Sequence, residues 1–181
     1  MSVWVLIAWA LLALILSVLL TAATRPNSFR VERALHIESH PEQVHGFIHD
    51  FHRWTAWSPW EKLDPSMQRS YSGEPAGKGA VYAWSGNGKA GAGRMEITDS
   101  NPERITIRIE FFKPFAACNT VEFSMVPQDG GTQVTWAMFG PSPFISRLMG
   151  LVFNMDKMIG RDFEAGLANL RSAVAQVPAT P

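Results

Sequence analysis

ITIRIEF, residues 105 to 111, places Ile105, Ile107, Ile109 and Phe111 on one side of an extended chain and Thr106, Arg108 and Glu110 on the other. A period of two with one apolar parity marks a strand that is covered on one face and wet on the other. Two further stretches repeat the pattern: Val121, Phe123 and Met125, then Val134, Trp136 and Met138. Asn101-Pro102-Glu103 and Gln128-Asp129-Gly130-Gly131 supply turns between them, so residues 67 to 139 read as an antiparallel meander of short strands. A sheet with one apolar face needs a cover. After Pro141-Ser142-Pro143 the period becomes helical, and Met155, Met158, Ile159, Phe163, Leu167, Leu170 and Val174 form one long stripe that can supply it.

Upstream of the meander, Phe29 to Ser39 alternates as a strand with Phe29, Val31, Leu35 and Ile37 on one face and Arg33 interrupting it. Ser39-His40-Pro41-Glu42 is a helix-start signature with Ser39 as the cap, and Val44, Phe47, Ile48 and Phe51 predict a buried stripe on a helix to about His52.

Val3 to Ala23 carries no charge and, at about 1.5 Å per residue, reaches ~31 Å, the thickness of a bilayer's hydrocarbon core. It reads as a transmembrane anchor. The competing signal peptide would have a shorter apolar region behind a basic segment, although Thr21-Ala22-Ala23 is a passable cleavage site. Arg25, Arg30 and Arg33 follow the helix, which favours a cytoplasmic C-terminal domain. The remaining length suits one domain. Lys plus Arg and Asp plus Glu are 16 each, so charge gives no reason to expect nucleic acid. Cys118, the only cysteine, excludes an internal disulfide and reads as a small core residue.

FRVERALHIESHPEQVHGFIHDFHRWTAWSPWEKLDP, YSGEPAGKGAVYAWSGNGKAGAGRMEITDS and MDKMIGRDFEAGLANLRS together resemble the SRPBCC superfamily, START-like or birch-pollen-allergen-like, and within it the polyketide cyclase/dehydrase-type branch with an N-terminal membrane anchor. The resemblance implies an α+β helix-grip fold: a curved antiparallel sheet of about seven strands around a long C-terminal helix, enclosing an apolar cavity that two short helices close at one end. It divides the chain into an anchor (1–24), a linker (25–28), the helix-grip domain (29–176) and a tail (177–181). Members bind lipids, sterols, polyketides and other hydrophobic molecules, and some catalyse chemistry in the same cavity.

Gly86-Asn87-Gly88-Lys89-Ala90-Gly91 matches G-x-G-x-x-G, but Met95 to Thr98 continues as a strand, leaving no helix N-terminus for a pyrophosphate; Asn87-Gly88 is a hairpin turn. His45, His49 and His52 recur at i, i+4 and i+7. Gly46 stands where a zinc protease motif needs Glu, so they read as the solvated edge of the helix. Glu96, Glu110 and Glu122 have the outward parity. The large inward residues carry more information. Trp84 and Trp136 share the inward parity of their strands and admit two readings, filling a core or lining a cavity; on the second, Trp57, Trp60, Tyr82, Trp84, Met95, Ile107, Phe111, Phe123, Trp136, Met138, Met158 and Phe163 are the expected lining, an adaptable aromatic and methionine surface held together by buried area.

The expected function is therefore binding of a small hydrophobic or lipid-like ligand at a bacterial inner membrane, with residues 3–23 in the bilayer. No cofactor, metal or catalytic residue is assigned. The alternatives are an enzyme of the cyclase, dehydratase or hydrolase type, using Arg33 or a helix-flank histidine on a polyketide-like or aromatic substrate, and a ligand-free interaction module tethered to the membrane. Phe144 to Phe153, apolar around most of its circumference, reads first as packing under the rim of the sheet and second as a place that touches the bilayer.

Overall fold

A computed structural model of the chain describes residues 2–177; Met1 and most of the expected tail, 178–181, lie outside them. The N-terminal helix α1 spans Val3–Thr24 and is long and apolar enough to cross a membrane. Seven strands follow: β1 Ser28–Ile37, β2 Gln68–Gly73, β3 Ala80–Ser85, β4 Ala92–Asn101, β5 Arg104–Lys113, β6 Ala117–Gln128 and β7 Gly131–Pro141. They form one antiparallel sheet in the order β1-β7-β6-β5-β4-β3-β2. The meander accounts for six of them, and β1 closes on β7 with Ser28 opposite Pro141 and Ile37 opposite Thr132.

The alternation in β5 is what the sheet uses. Ile105, Ile107 and Ile109 are buried on the inner face, each fully buried aliphatic side chain contributing about 1.5–3 kcal/mol of hydrophobic stabilisation. Outward, the parity carries ion pairs: Arg94 with Glu96 at 2.7 Å and Arg108 with Glu110 at 2.6 Å. Register shifts between Ala92 and Gly93, and between Ile97 and Asp99, interrupt the β4–β5 pairing.

Helix α4, Met155–Ala175, covers the inner face through Phe163, Leu167, Leu170 and Val174. Gly160 and Gly166 let it approach closely: a Cβ on Gly166 would stand 2.5 Å from Cζ3 of Trp136, and one on Gly160 would collide with the Arg33 guanidinium.

Three local expectations are corrected. Helix α2 is shorter than its apolar stripe, Pro41–Ile48, and the chain then turns through a 3-10 segment at Phe51–Ala56, so His52 is not on the helix. His40, not Ser39, is at the cap position, because the Ser39 hydroxyl donates to Oε1 of Gln43 at 2.6 Å instead. Cys118 is exposed rather than buried, since it takes the outward parity of β6.

Between β7 and α4 lies α3, Phe144–Met149, and it packs against the end of α1. Arg147 donates from Nη1 to the carbonyls of Ala23 (3.2 Å) and Arg25 (3.0 Å), and Arg25 donates back to the Gly150 carbonyl at 2.7 Å. A helix end leaves carbonyls without intrahelical partners, and here a cation from another helix serves them.

Candidate ligand-binding interior

The interior between the sheet and α4 is occupied by rings. Trp136 reaches in from β7 and stacks on Phe163 of α4, with centroids 4.3 Å apart and planes 7° from parallel. Trp57 meets Trp136 edge-on at 5.5 Å and Phe123 at 6.0 Å. Trp60 meets Trp136 at 5.4 Å and Phe163 at 6.1 Å. The 3-10 segments at Phe51–Ala56 and Pro59–Lys62 make this possible, because Pro59 opens the second turn and sets the two tryptophans of Trp57-Ser58-Pro59-Trp60 on one inward side. Trp57 is fixed by its indole donating to the Phe47 carbonyl at 3.1 Å, and Trp54 by donating to the Ile48 carbonyl at 2.9 Å. Asn169 of α4 donates to the Trp57 carbonyl at 3.1 Å, tying the turn to the helix.

Of the twelve residues expected to line a cavity, the structure gathers eleven on the inner side. Trp57, Tyr82, Met95, Ile107, Phe123, Trp136, Met138 and Phe163 are buried, while Trp60, Trp84 and Phe111 are half-buried. Met158 is the exception, being 55% exposed. At about 100° per residue it stands ~140° around α4 from Phe163, so it leaves the stripe that the sheet covers. Where the chamber was expected, these side chains pack ring against ring. A surface hollow of about 310 Å³ lies instead on the outer face, lined in part by Thr106, Arg108, Thr120 and Phe139.

Trp136 carries an unusual feature. Its side chain is 1% exposed, and its indole N–H finds no acceptor among the described residues. Leaving a buried donor unmet costs roughly 1–3 kcal/mol.

Sequence reasoning missed a polar network at the rim. Glu61, one residue past Trp60, has its carboxylate almost wholly buried; it accepts from the Tyr82 hydroxyl at 2.6 Å and from Nε of Arg69 at 2.6 Å. Burial first, and the bond to Glu61 second, push the Tyr82 phenol up from its ordinary value. The available signal was an arginine in β2 at the inward parity, Arg69 facing Trp84 across the ladder, which demands a carboxylate.

The polar groups offered by the sequence for chemistry are engaged in structural contacts, including Arg33, which pairs with Trp136 across the β1–β7 ladder. Arg33 is clamped by Asp156 at 3.0 Å and Glu164 at 2.8 Å, which raise its already high pKa and tie β1 to α4. His45 bonds to the Ser100 hydroxyl at 3.0 Å and stacks on His49; burial first and His49 second hold it below its ordinary value. His52 stacks on Tyr71 and bonds to Asp50 at 3.0 Å. The glycine motif forms the β3–β4 turn, with the Asn87 side chain accepting from the amide of Lys89 at 2.9 Å, and no helix follows it.

Solved structures show the same architecture. A protein from Chromobacterium violaceum aligns with a TM-score of 0.57 at 14% identity, covering 84% of this chain and all of its own. One from Thermus thermophilus aligns at 0.56 and 18% identity, covering 81% and 97%. Ara h 8.0201 aligns at 0.53 and 12% identity, covering 83% and 99%. At such identities the likeness establishes the fold alone. No curated protein matches the chain. Residues 28–175 match the family described as "Polyketide cyclase / dehydrase and lipid transport", which spans the sheet and α4 together. The chain is thus a member of the polyketide cyclase / dehydrase and lipid transport family, built on a seven-stranded helix-grip fold behind an apolar N-terminal helix.

Proposed function

We propose that the protein is a single-pass membrane protein whose domain, on the cytoplasmic side, binds a small hydrophobic or lipid-like molecule among the rings around Trp136. The observation that carries this is the unmet indole N–H in an otherwise apolar interior. A phenylalanine would keep a ring against Phe163 without stranding a donor. A ligand that is largely apolar and bears one hydrogen-bond acceptor, such as a carbonyl or ether oxygen, turns that cost into a directional contact. The lining is the inward set named above, from Trp57 to Phe163, with Trp60 as the movable member. Trp60 is half-buried on a short turn, and swinging it outward uncovers Trp136. Helix α1 supports the setting, since it tethers the interior beside the phase in which apolar molecules partition. Arg25, Arg30 and Arg33 behind it support the orientation.

The test is native mass spectrometry of the full chain in lipid nanodiscs, followed by solvent extraction of whatever co-purifies. An apolar, acceptor-bearing molecule is expected in wild type, with its affinity reduced roughly fivefold in Trp136→Phe, the equivalent of one hydrogen bond of about 1 kcal/mol. If no such molecule co-purifies and none binds from a total lipid extract, the ligand-binding reading fails.

A further inference from the structure

The two ends of the sheet are chemically different. At one end lie the turns after β2, β4 and β6, which read Glu74-Pro75-Ala76-Gly77-Lys78-Gly79, Pro102-Glu103 and Asp129-Gly130. They are an ordinary polar surface. At the other end α1 meets β1, and the chain exposes large apolar side chains in two separate places. One is α3 and the turn behind it, where Ile145 is 61%, Val152 81% and Phe153 57% exposed. The other is the tip of the β5–β6 hairpin, where Phe112 is 57% and Phe115 71% exposed. Register places this tip at the same end as the anchor: Ser28 pairs with Pro141, Thr120 with Phe139, and Phe111 with Ala117 at the end of β5.

The interior is also loosest here. Trp84, Phe111 and Ile159 are half-buried at this end, whereas Ile105, Phe123 and Met125 farther along are fully covered. The position of α3 fixes how far this surface stands from the end of α1, since Arg147 grips the carbonyls of Ala23 and Arg25 directly. A helix bound to the last turn of a membrane span sits at the headgroup level, and apolar residues on it reach the acyl boundary. Two exposed apolar clusters on different elements, sharing one end with a membrane helix, exceed the scattered apolar residues of an ordinary surface.

We infer that α3, the turn to α4 and the β5–β6 tip form a second, interfacial membrane contact, through which the loose end of the interior faces lipid. The inference rests on α1 being the anchor proposed above. Its occupant is the bilayer from which α1 emerges.

The test uses the full chain in vesicles of phosphatidylcholine with a minority of phosphatidylglycerol, in a Cys118→Ser background. Single nitroxide labels are placed on Leu12→Cys, Phe115→Cys, Asp129→Cys and Val152→Cys, and their collisions with oxygen and with a water-soluble nickel chelate are compared. The expected result is an oxygen-to-nickel ratio severalfold higher at 115 and 152 than at 129, and higher still at 12. Water-phase behaviour at 115 or 152, with 12 in lipid, overturns the interfacial contact and leaves the anchor standing. Water-phase behaviour at 12 overturns the anchor itself, and the inference with it.

Discussion

Trp136 and Phe163 lie face to face, centroids 4.3 Å apart, and this stack is where β7 and α4 hold the two layers together. Both side chains are about 1% exposed. Replacing Phe163 by alanine leaves a hole against Trp136, which its contacts with Trp57 and Phe123 keep from collapsing far into it. The expected cost is about 3–5 kcal/mol, read from thermal or denaturant melts of the full chain in detergent. Trp136→Phe keeps a ring against Phe163 and removes the stranded donor, a gain of about 1–3 kcal/mol offset by the buried area of the missing indole ring, so its melt should stay within about 2 kcal/mol of wild type. A loss larger than the missing ring's cavity accounts for, as large as that of Phe163→Ala, would mean that the indole N–H is satisfied in solution.

Gly166→Ala tests how tightly the interior is closed. Alanine favours the helix by about 1 kcal/mol, but its Cβ would stand 2.5 Å from Cζ3 of Trp136 and 3.2 Å from Cδ of Pro59. Overpacking of this kind costs about 1–3 kcal/mol, so the net change should be destabilising by up to about 2 kcal/mol. The nearest atom struck belongs to the indole's six-membered ring, which phenylalanine lacks in that place. A double-mutant cycle with Trp136→Phe should therefore recover stability, while additive losses would place the helix farther from β7.

Tyr82 predicts an alkaline limit. Burial, and next its bond to Glu61, raise its pKa, so the fold favours the neutral phenol. The unfolded chain's tyrosine ionises from about pH 10, and above that the unfolded state binds fewer protons than the folded one. Stability supplied by the neutral phenol is thus full below about pH 10 and is lost as pH rises beyond it. Melts followed from about pH 9 to 11 should fall more steeply in wild type than in Tyr82→Phe. Some slope should remain, because burial raises Tyr71 as well.

The architecture was legible because Ile105 to Ile109, Val121 to Met125 and Val134 to Trp136 alternate between buried and more exposed residues and the α4 stripe is unbroken from Ile159 to Val174. The first turn of that helix was misread. Met155 and Met158 are apolar, but Met155 is the first residue of α4 and Met158 stands on the flank away from Phe163, so neither joins the face that the sheet covers. Whether the inward rings fill a core or line a cavity stayed open in the sequence. Inward parity names the rings, whereas how Trp57 and Trp60 turn on Pro59 decides whether they line a space or occupy it. Glu61 escaped notice because a carboxylate beside an exposed-looking lysine reads as surface. Only the β2–β3 pairing, which brings Arg69 alongside Trp84, shows that it is needed inside.

Arg33 separates structure from chemistry. Its guanidinium bridges Asp156 and Glu164 across the β1–α4 seam, and a Cβ on Gly160 would occupy its place. The Asp156 carboxyl is held below its ordinary value, chiefly by the hydrogen bond from Arg33. That contribution is present above the ordinary carboxylate range and is lost as pH falls through it. Arg33→Met should lower the melting temperature at neutral pH, lose part of the acid dependence, and respond less to added salt than wild type. Arg33→Lys should not restore it, because one ammonium lacks the planar fork that serves two carboxylates. Bound apolar ligand, measured after extraction, should be unchanged in both variants at temperatures where they remain folded. Ligand loss without unfolding would move Arg33 from the seam of the fold into the binding site.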